Sequence, residues 1–248
     1  MAIPGIAAAE GATSNGPRLT LLNSFELVVA GSPVRLPVSA QRLLAFIALR
    51  DHPVQRPYVA YSLWLESPEA RAQANLRSAL WRIHRHGVTL LQVSGNRLSL
   101  DRGVAVDLRE AEATARDVAE AVNDPGEVDI SVLSGDVLPD WYDDWVVFER
   151  ERYRQLRLHA LEVLCERLTA AGRVDEALQA GLTAVAAEPL RETAHLAVIR
   201  AHLAEGNACE AIRQLQFCRR LMREHLGIEP SERVHELVRG LGALETVR

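Results

Sequence analysis

The sequence contains no lysine, and all 28 basic residues of the 248-residue chain are arginine. This absence excludes the enzymes whose chemistry needs a lysine amine, among them P-loop phosphotransferases, protein kinases, pyridoxal phosphate enzymes and Ser-Lys hydrolases. The G-x-S-x-G motif of serine hydrolases and the H-E-x-x-H motif of zinc peptidases are also missing. We therefore expect a protein that is not an enzyme and that uses no cofactor.

Cysteine is scarce as well, with only Cys165, Cys209 and Cys218 and no C-x-x-C pair. An odd number at these spacings argues against a disulfide scaffold and a zinc ribbon, and no set of histidines supplies three converging ligands, so no metal site is expected. The chain also lacks an apolar run of 18 residues, and residues 1–17 have no signal-peptide pattern. We expect a flexible tail over residues 1–17, a cytoplasmic location and no membrane partner.

The composition is that of a folded globular protein, with 48% hydrophobic and 25% charged residues. The net charge of −5 hides an asymmetry, because residues 1–105 carry 11 arginines and six acids, whereas residues 106–248 carry 17 arginines and 27 acids. The halves therefore have net charges of +5 and −10. This division predicts a domain that binds a polyanion over residues 18–105 and a second domain over residues 106–248.

The first half is patterned as strands, three helices and a hairpin. Apolar and polar residues alternate from Arg18 to Leu36, which predicts a small antiparallel sheet. Helices are predicted from Ser39, as the N-cap, to about Arg50, from about Pro57 to Leu65, and from Glu69 to about His86. Residues 88–100 alternate around Ser94-Gly95-Asn96, which is typical of a β-hairpin and predicts a wing.

The third helix carries the main candidate site. Its apolar stripe is predicted to contain Ala72, Leu76, Ala79, Leu80 and Ile83. The face opposite that stripe is predicted to contain three arginines and no acid, in the set Arg71, Asn75, Ser78, Arg82 and Arg85. Arginine can donate two hydrogen bonds to guanine, and asparagine can pair similarly with adenine, so this face predicts contacts in the DNA major groove. Arg97 and Arg102 in the wing can reach phosphate or the minor groove, although a solvated helix face and hairpin remain alternatives.

The second half is helical in pattern and contains a repeat. Aligning Gly172 with Gly206 also matches Ala170 with Ala204, Glu176 with Glu210 and Ala177 with Ala211, which gives a period of 34 residues. This is the length of a tetratricopeptide repeat, with a generic helical bundle as the alternative. The predicted fold is thus an α+β winged helix-turn-helix domain followed by an all-α tetratricopeptide-like domain. A helix with Asp140 as its N-cap and with buried Trp141, Trp145 and Phe148 is expected before the repeat, with an acidic-aromatic contact patch or a membrane-surface helix as the alternative.

Several short motifs together resemble the Streptomyces antibiotic regulatory protein family, whose winged helix is similar to that of OmpR-type response regulators. The resemblance covers about residues 18–242. In the first half it rests on Gln41-Arg42-Leu43-Leu44, Leu63-Trp64, Asn75-Leu76-Arg77-Ser78-Ala79-Leu80-Trp81-Arg82-Ile83 and Val106-Asp107. In the second half it rests on Ala187-Glu188-Pro189-Leu190-Arg191-Glu192, Ala201-His202-Leu203-Ala204-Glu205-Gly206-Asn207 and Leu226-Gly227-Ile228-Glu229-Pro230-Ser231, which resemble the family's bacterial transcriptional activation domain.

The resemblance implies a transcription activator of an antibiotic or other secondary-metabolite cluster. Such a protein binds direct repeats of promoter DNA as a homodimer and contacts RNA polymerase holoenzyme, near the sigma factor, at the −35 element. Gln41, Arg42 and Arg56 would approach phosphates, as would Arg77 beside the recognition face. Trp81, which with Arg77 flanks that face, is a departure, because it lies near a position that is usually polar in the family. The alternative from the residues alone is a helical-repeat adaptor that binds an acidic protein rather than DNA.

Overall fold

The computed structural model describes residues 16–85, 87–120, 126–234 and 236–237. Most of the tail predicted over residues 1–17, and His86 at the predicted end of the third helix, lie outside the described residues. The chain divides into two compact units, the first ending at Asp107 and the second beginning at Leu108. In architecture it is a winged helix-turn-helix domain followed by a tetratricopeptide-like helical domain, as predicted.

The first unit opens with a small sheet. Strands β1 (Arg18–Thr20), β2 (Glu26–Val29) and β3 (Ser32–Pro33) form an antiparallel meander, and β7 (Ala105–Val106) pairs in parallel with β1. The carboxylate of Asp107 accepts hydrogen bonds from the backbone N–H groups of Leu21 and Leu22, at 2.8 and 3.0 Å. These bonds fix the end of the unit beside its first strand.

Three helices form the centre of this unit. They are α1 (Val38–Ala48), α2 (Arg56–Leu63) and α3 (Glu69–His84), and α3 packs against both of the others. The N-cap of α1 is Pro37, with no side-chain cap, so the predicted N-cap role of Ser39 is wrong. The fixed φ of Pro37 suits the extended conformation that precedes a helix, and Ser39 lies inside the first turn instead.

The wing is a second small sheet. Strand β5 (Leu91–Ser94) pairs antiparallel with β6 (Arg97–Leu100), and β6 also pairs with the short strand β4 (Val54–Gln55) that precedes α2. The turn places Gly95 at a φ of 57°, which glycine adopts without strain. The predicted hairpin is therefore confirmed, with its first strand starting three residues later than expected.

The second unit begins with α4 (Asp107–Glu120) and a 3-10 helix at Ile130–Leu133. Four helices follow, α5 (Asp144–Ala170), α6 (Val174–Ala187), α7 (Glu192–Ala204) and α8 (Ala208–Leu226), and each packs on the next. The interior is rich in alanine, and a methyl group added at Gly181 in α6 would lie 2.7 Å from Val198 Cγ2 in α7. Small residues therefore let the helix backbones approach closely.

The 34-residue period is visible in the hydrogen bonds of the two helix turns. Gly172 and Gly206 follow α5 and α7 with φ of 76° and 82°. The N–H of Arg173 donates to Leu168 O, and the N–H of Asn207 donates to His202 O, at 2.9 and 2.8 Å. The donor and the acceptor of the second bond each lie 34 residues after those of the first, so the structure confirms the repeat.

The helix expected from Asp140 begins later and buries less than predicted. Asp143 is the N-cap and makes no side-chain cap, and Phe148 is 77% exposed whereas Trp145 is buried. The buried side of α5 passes through Trp145 and Tyr153, and Phe148 lies off it. The guanidinium of Arg150 instead holds the preceding loop, donating to the carbonyls of Val137, Leu138 and Trp141.

Candidate nucleic-acid interface

The inner side of α3 is fixed by packing against α1 and α2. Its buried residues are Ala72, Leu76, Ala79, Leu80 and Ile83, which is the predicted apolar stripe. Pro68 is the N-cap, Glu69 lies in the first turn, and Arg82 and His84 lie in the last turn, where each charge or polar group suits the helix dipole. This packing fixes α3, which is the second helix of the helix-turn-helix, and leaves the other side of α3 exposed.

The predicted recognition residues lie outside this stripe. Arg71, Ser78, Arg82 and Arg85 are exposed, and Asn75 is half-buried beside the core. The hydroxyl of Ser78 donates to the carbonyl of Ala74 at 3.0 Å, one turn back on the same helix. The structure therefore brings these side chains onto one side of α3, with Ser78 already engaged with its own backbone.

Arg82 is the recognition residue with a partner outside α3. Its Nη1 donates to Ser39 Oγ at 3.1 Å, which ties the end of α3 to the first turn of α1. Of the predicted phosphate contacts nearby, Gln41 is turned inward, because its Nε2 donates to Leu36 O at 2.7 Å. Arg42, on the same helix, is half-buried. The start of α1 thus lies beside one edge of the recognition face.

An exposed tryptophan lies at the centre of the free side of α3. Trp81 is 60% exposed, and the guanidinium of Arg85 lies over its ring, with Cζ 4.8 Å from the ring centroid. Arg77, one turn earlier, is also exposed. Sequence reasoning placed Arg77 and Trp81 at the margin of the site. The signal that identifies them is their four-residue spacing with Arg85, which is a single row on a helix.

The wing lies next to the start of α2. The N–H of Arg56, the first residue of α2, donates to Asn96 O in the hairpin turn at 2.9 Å. Arg97 and Arg102 are exposed, and Arg56 is half-buried. A cavity of about 410 Å³ opens here, and its lining includes Arg50, His52, Tyr58 and Arg97. The predicted wing residue Arg97 therefore lines this concave surface, and the predicted backbone residue Arg56 adjoins the hairpin turn through its bond to Asn96.

The carboxyl of Asp101 at the base of the wing is held in its charged form. It accepts hydrogen bonds from Gln92 Nε2 at 3.0 Å and from the N–H of Gly103 at 2.8 Å, and these bonds lower the pKa of Asp101 below its ordinary value. Arg102 follows directly and points to solvent. Asp101 thus stabilises the turn after β6.

The arginines of the two units differ in pairing. In the second unit, many arginines pair with carboxylates, either on the same helix or on a neighbouring helix or loop, namely Arg116, Arg152, Arg154, Arg157, Arg173, Arg191, Arg200, Arg213, Arg219 and Arg223. Among the residues that the structure describes, Arg71, Arg77, Arg82 and Arg85 on α3 have no carboxylate within ion-pair distance. Unneutralised guanidinium groups on an exposed helix are suited to bind anions.

Within residues 16–85, 87–120, 126–234 and 236–237, no group of three or more histidine, cysteine, aspartate or glutamate side chains is placed to hold a metal ion. None of the helices in those ranges is long and apolar enough to cross a membrane.

The fold defines a two-domain class of protein in which a winged helix-turn-helix domain precedes a helical-repeat domain. Residues 100–241 match the family described as bacterial transcriptional activator domain. The chain belongs to this family, and with its winged helix it is a regulator of the Streptomyces antibiotic regulatory protein type.

Two regulatory proteins named AfsR are similar to the chain. That of Streptomyces coelicolor is 26% identical over 224 residues, which are 86% of this chain and 22% of the relative. That of Streptomyces griseus is 26% identical over 243 residues, which are 91% of this chain and 24% of the relative. The chain therefore spans about a quarter of the length of these curated relatives.

A solved structure shares the fold. Mycobacterium tuberculosis EmbR, determined in complex with a low affinity phosphopeptide, superposes with a TM-score of 0.69 at 19% sequence identity. The match covers 94% of this chain and 66% of that one. The fold that the two proteins share therefore includes each of the two units.

Proposed function

We propose that this transcription regulator binds double-stranded promoter DNA, with residues 18–105 as the DNA-binding domain and residues 106–248 as the activation domain. The observation that carries the proposal is the set of arginines on α3 that lack carboxylate partners among the described residues. These groups lie on the exposed helix of a helix-turn-helix, with a wing that carries Arg97 nearby. Arginine in this setting donates to guanine edges and to phosphates.

The proposed contacts follow the placement of the side chains. Arg71, Asn75, Ser78, Arg82 and Arg85 enter the major groove, and Arg42, Arg56 and Arg77 approach the backbone with Arg97 and Arg102 of the wing. Gln41 approaches the backbone as well, because its Nε2 carries two hydrogens and the bond to Leu36 O uses one of them. Ser78 can still accept a hydrogen bond while it donates to Ala74.

The second unit is proposed to contact RNA polymerase holoenzyme, near the sigma factor at the −35 element. Support comes from the family description of residues 100–241 as an activator domain. We further propose that the protein binds direct repeats as a homodimer, controls a secondary-metabolite cluster, acts in the cytoplasm and does so without catalysis, cofactor or membrane partner. These points follow from the resemblance stated above and from the residue types that the sequence lacks.

A gel shift with the full chain tests DNA binding. The probes are duplexes selected by the protein from a random-sequence pool, at about 50 mM and about 200 mM salt. Complexes should weaken steeply with salt, because each arginine-phosphate contact releases counterions. Arg82→Ala should weaken binding by about 1–3 kcal/mol, as expected for loss of a two-hydrogen-bond contact to a base.

The matched control is Arg213→Ala in α8. Arg213 is also an exposed helical arginine, with a side chain 73% exposed, but it pairs with Glu210 in the second unit. It should bind DNA as the parent does, since an exposed ion pair contributes little. If the parent forms no salt-sensitive complex, DNA binding is rejected and the adaptor function is favoured. The next probe is then a protein partner.

A further inference from the structure

The side of α3 that lies farthest from the core is not centred on the predicted recognition residues. Each residue of a helix advances by about 100°, so Ala70, Ala74, Trp81 and Arg85 fall within one narrow arc. This arc lies opposite the centre of the buried stripe, whereas Arg71 and Asn75 lie toward one edge. The tether from Arg82 to Ser39 marks that same edge. A groove that receives α3 therefore meets Ala74 and Trp81 first.

Side-chain size changes along this line. In the first half of α3 the outward residues are Ala70 and Ala74, which let a helix approach base edges closely. In the second half the outward residue is Trp81, with its large apolar surface 60% exposed. Arg77 and Arg85 flank the ring one turn before and one turn after, so the apolar surface is bounded by positive charge.

This pattern fits duplex DNA better than an apolar protein surface. An apolar protein surface would meet two unneutralised guanidinium groups beside the indole, whereas in DNA those groups meet guanine edges or phosphates. The apolar feature that the major groove offers is the C5-methyl group of thymine. The Arg85 guanidinium lies 4.8 Å from the Trp81 centroid, so the two side chains would meet adjacent positions in the groove.

We propose that Trp81 is a specificity-determining residue that contacts the methyl group of a thymine in the major groove, next to a guanine bound by Arg85. The inference rests on the proposed DNA-binding function and adds to it a base preference. The cation–π contact with the indole holds the planar Arg85 guanidinium in place, and its N–H groups stay available to guanine. The thymine methyl is buried against the indole edge.

Removal of one thymine methyl group at a time from the DNA tests this contact. The probe is the duplex selected by the full chain, with each thymine in turn replaced by deoxyuridine, which removes only the methyl group. At one position the parent should bind about fourfold more weakly, as expected for loss of one buried methyl. Trp81→Ala should bind the unmodified duplex about tenfold more weakly and should show no effect of deoxyuridine at that position.

Two variants serve as controls. Trp81→Phe keeps an aromatic ring and should retain part of the sensitivity to deoxyuridine. Tyr142→Ala removes an aromatic side chain that is 85% exposed in the second unit, and it should behave as the parent. Because Trp81 is exposed, its variants should keep the parent's thermal unfolding, which separates a lost contact from a lost fold.

The outcomes separate this inference from the function on which it rests. If complexes form and Trp81→Ala keeps every deoxyuridine effect of the parent, or weakens all duplexes without removing any such effect, the methyl contact is overturned while DNA binding stands. If no duplex is selected and no salt-sensitive complex forms, both are overturned. Loss of one deoxyuridine effect in Trp81→Ala supports the contact.

Discussion

At the scale of single residues, the bond between Arg82 and Ser39 joins two helices at the edge of the proposed interface. An arginine side chain loses considerable rotational freedom when it is fixed. The hydroxyl of Ser39, 3.1 Å from Nη1, restricts this freedom in the DNA-free protein. Under the proposed function, Ser39 is a positioning residue that acts through Arg82.

We expect Ser39→Ala to weaken binding to the selected duplex by about two- to fourfold, as is usual for loss of an exposed hydrogen bond that pre-organises a contact. In the Arg82→Ala background the same substitution should change nothing. A double-mutant cycle by gel shift measures both effects. Equal losses in the two backgrounds would mean that Ser39 acts independently of Arg82.

A second single residue, His195 in α7, is buried in the second unit. Its Nε2 donates to Pro189 O at 2.9 Å, and Gln214 Nε2 donates to Nδ1 at 2.8 Å, so the neutral ring satisfies both partners. Burial lowers the pKa of His195 below its ordinary value, while the backbone of Pro189 and the charge of Glu192 oppose that shift.

The free energy of unfolding should therefore depend on pH through His195. Because its folded-state pKa is lowered, its contribution is complete above about pH 6.5, the ordinary histidine pKa, and falls as the pH drops below that value. Urea unfolding at about pH 7.5 and about pH 5.5 should show a larger loss for the parent than for His195→Gln. The same loss in both proteins would assign the pH dependence to other groups.

At the scale of helices and turns, the two repeat turns provide an internal comparison. Gly172 and Gly206 have positive φ, and a methyl group at either position would meet no atom within 4 Å. Only backbone strain then opposes a side chain, in contrast to Gly181, where a methyl group would overlap Val198.

We expect Gly206→Ala to reduce the free energy of unfolding by about 1 kcal/mol, the usual cost of placing alanine in this conformation. Gly172→Ala should cost a similar amount, since both turns make equivalent hydrogen bonds. Chemical denaturation of each variant measures the change. A neutral effect in either variant would indicate that its turn relaxes without cost.

The elements that could be predicted from the sequence are those with a long periodic pattern or a local turn motif. The stripe of α3 has a clear helical period, and the wing has a Gly-Asn turn between alternating residues. Strand β7 was not predicted because its two residues, Ala105 and Val106, carry no alternation and depend on pairing with β1. The late start of α5 was missed because Arg150, from within the helix, bonds the loop that contains Asp140.

At the scale of the whole molecule, the net charges of the halves predicted one basic and one acidic domain. They did not predict which arginines form ion pairs with acids. The second half contains more arginines than the first, and its acids neutralise many of them through contacts between helices, such as Arg191 with Glu162 and Arg200 with Glu166. Which arginines stay unneutralised depends on the fold. The candidate site could therefore be assigned to α3 from sequence, whereas the central place of Trp81 needed the packing of α1 and α2.

The exposure of Trp81 has an optical consequence. The chain has four tryptophans, of which Trp145 is buried, Trp64 and Trp141 are half-buried and Trp81 is 60% exposed. An indole in water emits at longer wavelength than a buried one and is reached more readily by a soluble quencher such as acrylamide. The fluorescence that acrylamide removes most easily therefore comes chiefly from α3. The protein thus carries an intrinsic spectroscopic reporter on α3, the helix that carries the proposed DNA-binding residues.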